Sequence, residues 1–392
     1  MIARRTLIFA LAVAIVTGLF TGSAMAAPAT IVHTNMPQRW GTAQANAYID
    51  QTVTGLNAMP PGSTFRALDY LFKAPTATDA MIRAHRRGVN VRVLVDGQVA
   101  TNEWRRLDAA IGHDRTKGSF VYRVHGSGLR FTGRMHAKLV QFSATGKRSA
   151  VTVIGSQNLS PTNTLSSTNE NSEWTDPKLY AGARDYFNAI AADTGKSYRY
   201  HTVTSGSVRL HLYPGGPDVV SPALSKVRPG RDCAVHVSIF EWSDSSWQLR
   251  KAKQLASLAN HGCAVKVAWN YVPAQILIGP RSARVLLASK AQVHDVRTKD
   301  VMYTHLKLTT MRYRDRHGRI VTRSFSGSQN YLDNRATGAN ILVENSDPHV
   351  WAQYAGHIDR VYAAGRRAVQ PVYGPSAAAY NDDIEENDYA NQ

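Results

Sequence analysis

Two short stretches of the chain each carry a histidine and a lysine two residues apart. RMHAKLVQF contains His136 and Lys138, and YTHLKLTTM contains His305 and Lys307. Both stretches have an apolar pattern typical of a β-strand, on which residues two apart project from the same face. Each therefore predicts an imidazole and an ammonium group that point together. A single pair of this kind could be incidental to a half-buried strand.

The two pairs belong to an internal repeat with a period near 171 residues. Further polar residues recur in the same order in both copies. These are Ser156 and Asn158 against Ser328 and Asn330, then Asn169 and Glu173 against Asn340 and Glu344. The apolar residues between them vary, which is the opposite of what a packing explanation predicts. The repeat therefore indicates a functional site to which both copies contribute.

The recurring residue types suit the binding of a phosphate group. Lysines supply point charges, and amide and hydroxyl groups supply hydrogen-bond donors for phosphate oxygens. We expect the phosphate to be bound by Lys138, Lys307, Asn158, Asn330, Ser156 and Ser328.

The two histidines could divide the chemistry of phosphodiester cleavage. One can attack phosphorus, while the other protonates the leaving oxygen and then activates water. Glu173 and Glu344 are predicted to orient the two rings, each holding one ring nitrogen as N–H, and Asn169 and Asn340 are predicted supporting residues. No carboxylate cluster or zinc-ligand spacing indicates a metal, so we expect neither a metal nor a cofactor.

The elements that must position these residues follow the same order in both copies. HRRGVNVRVLVD and ANHGCAVKVAWN each predict the end of a helix, a glycine and a buried strand. ATGKRS and RDRHGR predict hairpin turns after the His-x-Lys strands, and segments 177–192 and 348–364 predict closing helices with proline near the first turn. We predict an α/β fold of two pseudo-symmetric domains, each a mixed β-sheet flanked by helices, with the active site at their interface.

The 392 residues are enough for two domains. Arg4 and Arg5, an apolar run and the small residues from Ser23 to Ala26 indicate a signal peptide at 1–26 that is cleaved near Ala26, and an uncleaved anchor is the alternative. We expect a secreted protein with a first domain at 27–204, a second at 205–375, and an acidic disordered tail at 376–392.

The net charge indicates which kinds of partner to expect, and the two cysteines bear on the cellular compartment. The charge is +18, and the folded body carries about +21 once the two signal-peptide arginines and five tail acids are set aside. This favours nucleic acid, anionic lipid or cell-wall polymers as partners, although high charge could also serve solubility alone. In an exported protein, Cys233 and Cys263 favour one disulfide over two buried thiols.

Two copies of His-x-Lys, each followed by Gly-Ser-x-Asn, resemble the phospholipase D superfamily across nearly all of the chain beyond residue 26. The resemblance implies two phospholipase D-like domains and metal-independent phosphodiester cleavage or transfer through a phosphohistidine. It implies that His136 is the nucleophile and His305 the general acid and then base. The chain departs from the family at Ser143 and Arg312, where an aspartate five residues after the lysine is usual.

The resemblance also bears on the substrate. Similarity to secreted bacterial phospholipases favours hydrolysis of phospholipids by a monomer that makes peripheral contact with an anionic membrane surface. A secreted nonspecific nuclease and a non-catalytic phosphodiester-binding protein are the alternatives.

Overall fold

A computed structural model describes residues 29–36, 43–161, 167–195, 198–270, 277–296 and 303–368. The predicted signal peptide at 1–26 and the predicted tail at 376–392 lie outside the described residues. Within those ranges, none of the helices combines the length and the apolar character that crossing a bilayer requires.

Helices and strands alternate along both halves of the described chain. The strands are β1 Ile31–Thr34, β2 Thr64–Asp69, β3 Asn90–Asp96, β4 Phe120–Val124, β5 Leu139–Thr145, β6 Arg148–Gly155, β7 Ser167–Thr168, β8 Glu170–Thr175, β9 His201–Ser205, β10 Val208–Leu212, β11 Ala234–Ile239, β12 Ala264–Trp269, β13 Gln292–Asp295, β14 Tyr303–Thr304, β15 Lys307–Arg314, β16 Ile320–Gly327, β17 Ile341–Asn345 and β18 Arg366–Arg367. The helices are α1 Ala43–Asn57, α2 Pro75–Arg86, α3 Asn102–Ile111, α4 Pro177–Ala192, α5 Val220–Leu224, α6 Ser246–Asn260, α7 Pro280–Leu287 and α8 Pro348–Ala364.

Two sheets share one strand plan. The first has the order β1-β8-β6-β5-β2-β3-β4, and the second has the order β18-β13-β12-β11-β15-β16-β17-β10-β9. In each sheet three strands run parallel, namely β2, β3 and β4 or β11, β12 and β13. The next three, β5, β6 and β8 or β15, β16 and β17, pair antiparallel. The predicted mixed α/β fold is confirmed, and six strands of each sheet reproduce the sequence repeat.

The local patterns of the sequence explain how each half is assembled. Gly88 and Gly262 have φ of +93° and +91°, a left-handed conformation that ends α2 and α6 and directs the chain into β3 and β12. The closing helices α4 and α8 have the predicted bounds. The side chains of Asp176 and Asp347 accept hydrogen bonds from the first turns of these helices and so define where they begin.

The two halves share a hydrophobic core. One buried cluster combines Leu139 and Phe187 of the first half with Leu210 and Ile341 of the second. The predicted boundary near Ser205 falls at the end of β9, the edge strand of the second sheet. Because apolar side chains from both halves bury one another, the relative position of the halves is fixed by packing.

The predicted disulfide is confirmed. Cys233 and Cys263 are bonded, with their Cα atoms 4.8 Å apart, immediately before β11 and β12. The bond joins the entrances of two neighbouring parallel strands in the second half.

Candidate active site

The first histidine–lysine pair lies in an extended segment that leads directly into β5. Lys138 is buried, and its Nζ donates to the backbone carbonyl of His136 at 2.9 Å. The backbone N–H of His136 donates to the carbonyl of Ala339, at 3.0 Å, in the second half. Ala339 in turn donates its N–H to the carbonyl of Arg134 at 2.9 Å. The segment that carries His136 is therefore paired with the segment that leads to Asn340.

The second pair repeats this arrangement with the halves exchanged. His305 follows β14, Lys307 begins β15, and the Lys307 Nζ donates to the His305 carbonyl at 2.9 Å. The strands β14 and β7 form a small parallel ladder between the halves, and the His305 N–H donates to the carbonyl of Thr168 at 3.0 Å. The segment that carries His305 is thus paired with the segment that leads to Asn169.

Each histidine ring is held by an asparagine from the other half. The His136 Nδ1 lies 3.1 Å from the Asn340 Oδ1, and the His305 Nδ1 lies 2.7 Å from the Asn169 Oδ1. All four side chains are buried. The predicted supporting asparagines therefore contact the predicted catalytic histidines directly, in a crossed arrangement that requires both halves.

The hydrogen bonds of Asn169 define the tautomer of the His305 ring. The Asn169 Nδ2 lies 3.2 Å from the Ser167 carbonyl oxygen, which can only accept, so the amide oxygen must face His305. An amide oxygen is also only an acceptor, and the His305 Nδ1 must therefore carry the hydrogen. In a neutral ring of this tautomer the lone pair is on Nε2, the atom that would exchange a proton or attack phosphorus.

Two serines of the Gly-Ser-Gln-Asn turns hold these asparagines. The Ser156 Oγ donates to the Asn169 Oδ1 at 3.1 Å, and the Ser328 Oγ donates to the Asn340 Oδ1 at 3.0 Å. In these contacts the two serines position the asparagines that hold the histidines. That their hydroxyls also donate to phosphate stays a prediction.

A close approach of backbone explains the glycine in front of each serine. A Cβ at Gly155 would lie 2.1 Å from the carbonyl oxygen of Glu170, and one at Gly327 would lie 2.4 Å from that of Ile341. Gly327 also has φ of +118°. Only glycine fits at such contacts, which bring the next serine against the start of the neighbouring strand.

Asn158 and Asn330, the predicted phosphate-binding amides, end the same turns and are buried. The Asn330 Nδ2 donates to the Glu241 Oε2 at 2.9 Å. Glu241 follows β11 and is itself buried, and the backbone carbonyl of Glu241 accepts the N–H of Tyr331 at 3.0 Å. Glu241 was not identified from the sequence, because the corresponding position of the first copy is Leu71 and the repeat does not mark it.

An aromatic ring lies beside each histidine–lysine pair. The ring centroids of Tyr70 and His136 are 5.2 Å apart, and those of Phe240 and His305 are 5.1 Å apart. The Nζ of each motif lysine also lies close to the ring, 5.2 Å from the centroid for Tyr70 and 5.0 Å for Phe240. These contacts favour the lysine as a cation over a π face. The two aromatic residues follow β2 and β11 at corresponding positions, a signal that a complete alignment of the repeat contains.

Glu173 does not orient a catalytic histidine, so that prediction is wrong. Its carboxylate accepts a hydrogen bond from the Nε2 of His33 at 3.0 Å and pairs with Arg148. Burial raises the pKa of Glu173, but the contacts with His33 and Arg148 outweigh burial and hold the pKa below its usual value. Glu173 lies four residues beyond Asn169 along β8, a displacement of about 13 Å, which places it away from the rings.

Glu344 is occupied in the same way in the second half, and the prediction of an orienting role is wrong there too. The His211 Nε2 lies 3.2 Å from the Glu344 Oε2, and Arg323 also pairs with the carboxylate. The hydrogen bond from His211, followed by the charge of Arg323, lowers the pKa of Glu344. Both glutamates therefore hold the outer part of their sheets together. Asn169 and Asn340 take the ring-orienting role that was predicted for the glutamates.

Glu170 distinguishes the two halves. The side chain is fully buried, its Oε1 accepts the backbone N–H of Gly327 at 3.2 Å, and its Oε2 has no hydrogen-bond partner among the described residues. Burial raises the pKa of Glu170 to about 7, although contacts with Ser156 and Gly327 and the charge of Lys307 oppose the rise. The corresponding position in the second half is Ile341. A buried ionisable carboxyl thus lies on the side of the site that holds His305.

Ser143 and Arg312 lie far along their strands from the histidines. The Ser143 Oγ accepts the N–H of Thr64 at 2.7 Å, and Arg312 lies 3.9 Å from Asp232. Five residues of strand span about 17 Å, so the positions at which the family usually has aspartate do not border the ring contacts. Among the described residues there is also no group of three or more histidine, cysteine, aspartate or glutamate side chains that could hold a metal ion.

Comparison with known proteins supports the class of fold that this geometry indicates. The chain is similar to the crystal structure of phosphatidylserine synthase from Haemophilus influenzae, with 11% identity, 88% of this chain and 90% of that chain covered, and a TM-score of 0.56. It is also similar to polyphosphate kinase from Porphyromonas gingivalis, with 13% identity, 89% of this chain covered and a TM-score of 0.54. The chain spans about half of that kinase, 54% of its length. No curated protein sequence matches the chain.

A family model matches one segment of the first half. Residues 62–191 match the family model described as cardiolipin synthase, PLD-like domain. In this segment the resemblance to the phospholipase D superfamily is confirmed. Members of this superfamily act on phosphodiesters.

Proposed function

We propose that the protein is a metal-independent phosphodiesterase of phospholipase D type that hydrolyses phospholipids through a phosphohistidine. The observation that carries the proposal is the crossed arrangement of the site. His136 is held by Asn340, His305 is held by Asn169, and a buried motif lysine follows each histidine. Two rings, each held at Nδ1 by an asparagine of the other half, suit a reaction that needs two histidines in different roles.

In the first step the Nε2 lone pair of His136 attacks phosphorus, and the bond from phosphorus to the leaving alkoxide breaks. His305, protonated on both nitrogens, gives its Nε2 proton to the departing oxygen. The Asn169 oxygen accepts the Nδ1–H in both protonation states of His305, so the ring keeps its orientation. The products of this step are the free alcohol and a phosphohistidine.

In the second step His305 accepts a proton from water, and the resulting hydroxide attacks phosphorus and releases His136. Lys138 and Lys307 supply positive charge, and the amides of Asn158 and Asn330 supply donors for the phosphate oxygens. One amide hydrogen of Asn330 is bound to Glu241, which fixes the orientation of that amide.

The choice of phospholipid and of the compartment rests on the sequence. Resemblance to secreted bacterial phospholipases supports a lipid substrate, and the segment up to Ala26 supports export with cleavage there. The net charge of +18 supports any anionic substrate and makes a secreted nuclease the second candidate.

Turnover of a soluble aryl phosphodiester in the presence of a chelator tests the two-histidine mechanism. We expect His136→Ala and His305→Ala each to abolish turnover, and His113→Ala, whose side chain is exposed, to retain it. Activity that is lost when the chelator is added, or that survives in either motif variant, would contradict the mechanism.

A parallel assay of the wild-type protein on phosphatidylcholine vesicles and on plasmid DNA tests the substrate. Cleavage of lipid alone supports the proposal, cleavage of DNA alone establishes the nuclease, and turnover of neither supports a phosphodiester-binding protein without catalysis.

A further inference from the structure

The closing helix of the second half carries a buried histidine that neither step of the proposed reaction uses. His357 lies on α8 and is completely buried. Its Nε2 lies 2.9 Å from the Oγ1 of Thr168, in the short strand β7 of the first half. The carbonyl of Thr168 accepts the backbone N–H of His305 at 3.0 Å, and the next residue, Asn169, holds the His305 ring. His357 therefore contacts the segment that positions His305.

The contacts of Thr168 define which nitrogen of His357 carries the hydrogen. The Thr168 hydroxyl lies 2.7 Å from the carbonyl oxygen of Asn35, which can only accept and is much closer than the Met36 sulfur at 3.9 Å. The hydroxyl proton is therefore given to this carbonyl, and the hydroxyl oxygen accepts from the Nε2–H of His357. The guanidinium of Arg360, 3.3 Å from Nδ1, requires the same tautomer because it can only donate. Burial, followed by the charge of Arg360, lowers the pKa of His357 to about 3, so the ring is neutral.

A chain of hydrogen bonds thus runs from α8 to the residue that holds the catalytic ring. His357 donates to Thr168, and Thr168 donates to the carbonyl of Asn35. Asn35 in turn contacts the backbone of Asn169 twice. Its N–H donates to the Asn169 carbonyl at 3.3 Å, and its Oδ1 accepts the Asn169 N–H at 2.6 Å. The chain therefore fixes the backbone from which the amide of Asn169 reaches His305.

Tyr186 has the corresponding position on α4. Each of these two side chains follows the aspartate that begins its closing helix by ten residues. The Tyr186 hydroxyl donates to the carbonyl of Tyr213 at 2.6 Å and lies 3.2 Å from the carbonyl of Asn340. The Tyr213 N–H donates to the Asn340 carbonyl at 3.0 Å, as Asn35 does to Asn169. Each closing helix therefore holds the asparagine segment of the other half.

The residue types on the two closing helices match their neighbours. Ala339 has the position in the second half that Thr168 has in the first, and the carbonyl of each accepts the N–H of a motif histidine. Alanine has no hydroxyl, and the long side chain of Tyr186 reaches the backbone carbonyl directly. The shorter side chain of His357 reaches the equivalent carbonyl through the hydroxyl of Thr168. The sequence pairs Tyr186 with Ala339 and His357 with Thr168.

We propose that His357 and Thr168 are positioning residues that fix the His305 ring for proton transfer to the leaving oxygen. Loss of the Thr168 hydroxyl leaves a buried donor on His357 and a buried carbonyl on Asn35 without their partner, so the segment must shift to satisfy them. A shift of Asn169 misaligns the Nε2 of His305 with the departing oxygen. This role presupposes the proposed function, in which His305 is the general acid.

The dependence of turnover on the leaving group tests the relay. Methyl 4-nitrophenyl phosphate releases a phenoxide that needs little protonation, whereas methyl phenyl phosphate depends on the acid. We expect Thr168→Val to lower kcat/KM for the phenyl ester about 10- to 100-fold and for the nitrophenyl ester several-fold at most. Thr168→Ser keeps the hydroxyl and should stay within about two-fold of wild type on both esters. Equal losses of Thr168→Val on the two esters, or an equal defect in Thr168→Ser, would overturn the proposal.

Tyr186→Phe is the matched control, because it removes the corresponding contact on the side of His136. His136 attacks phosphorus in the proposed reaction, so this variant should lower kcat/KM for both esters by the same factor. A loss confined to the phenyl ester in Tyr186→Phe would show that the effect does not depend on His305, and it would contradict the proposal.

An exchange of the pairs tests whether the residues act together. The double variant His357→Tyr/Thr168→Ala copies the arrangement of Tyr186 with Ala339. We expect Thr168→Ala alone to be as defective as Thr168→Val on the phenyl ester, and the double variant to regain about ten-fold in kcat/KM. A double variant that is no better than Thr168→Ala would contradict the pairing.

Nuclear magnetic resonance of the full chain labelled with ¹⁵N-histidine tests the relay without turnover. We expect one ring to keep its hydrogen on Nε2 from pH 5 to pH 8 and to be missing from the double variant. The Nδ1–H signal of His305, assigned by its loss in His305→Ala, should move in Thr168→Val and stay in place in Thr168→Ser. A His357 ring that titrates in this range, or an unmoved His305 signal, would overturn the relay. A wild type that cleaves neither ester but gives these spectra would contradict the proposed function alone.

Discussion

Replacement of Glu170 by glutamine tests whether the two halves are truly asymmetric around the site. The carboxyl is fully buried, accepts one hydrogen bond from Gly327, and lies near the charge of Lys307 and the hydroxyl of Tyr354. Glutamine keeps the shape and the oxygen that accepts from Gly327, but it does not ionise. The variant therefore removes the charge of Glu170 and little else.

The magnitude follows from the pKa of Glu170. Burial raises this pKa from 4.5 to about 7, a difference of about 2.5 units, which corresponds to about 3 kcal/mol. A carboxyl whose pKa is raised on folding stabilises the folded state fully below the unfolded pKa, and this contribution is lost as pH rises toward the folded pKa. The free energy of unfolding of the wild type should therefore fall by about 3 kcal/mol between pH 4.5 and pH 7 because of this group.

Urea denaturation of wild type and Glu170→Gln from pH 3 to pH 8.5 measures the effect. The free energy of unfolding of the variant minus that of the wild type should be about 3 kcal/mol larger at pH 8 than at pH 4.5. Other titrating groups cancel in the difference between the two proteins. Any constant offset reflects the new amide and carries no information on ionisation.

Glu173→Gln serves as the matched control, because the pKa of Glu173 is lowered rather than raised. Its contribution has the opposite sign, so this variant should lose stability relative to wild type as pH rises through the pKa of Glu173. A difference between wild type and Glu170→Gln that stays constant with pH, or that follows the same direction as Glu173→Gln, would refute the assignment of Glu170 as a buried carboxyl with a raised pKa.

Three further outcomes are expected. Cys233→Ser should lower the free energy of unfolding by about 3 to 4 kcal/mol in urea denaturation, because the disulfide closes a loop between residues 30 apart, and reduced wild type should match the variant. Asn340→Ala should lower kcat for the aryl phosphodiester about 10- to 100-fold because the ring of His136 loses its acceptor, and a value within two-fold of wild type would contradict that role. Tyr70→Phe should keep wild-type turnover because phenylalanine occupies the equivalent position at Phe240. Tyr70→Ala should raise KM several-fold, because it removes about 1 kcal/mol of cation–π contact with Lys138. Equal effects of the two substitutions would contradict a role for the aromatic ring.

Much of the molecule could be predicted from local patterns. The closing helices have their expected bounds because proline and a preceding aspartate define where each begins. The glycine stops at Gly88 and Gly262 were visible because few other residues adopt a positive φ. The disulfide was predictable from two cysteines placed at the entrances of strand-like runs.

The partners of the site residues could not be predicted in this way. Glu173 and Glu344 had a shared offset in the repeat, and that offset reflects a shared role in holding the outer strands. Ser156 and Ser328 are donors by chemistry, but which acceptor they reach depends on the strand beside them. Glu241 and Glu170 lack counterparts in the other copy, so the repeat does not reveal them.

The sequence by itself determined which residue types recur, their order along each half, and the order of the helices and strands that carry them. The tertiary structure decided that each histidine is held by the asparagine of the opposite half. The physical reason is that His136 and Asn340 are 204 residues apart and meet only because buried apolar surface from both halves packs into one core. A local pattern specifies which side chains share one face of a strand. The packing of the two halves specifies which residues of the opposite half those side chains contact.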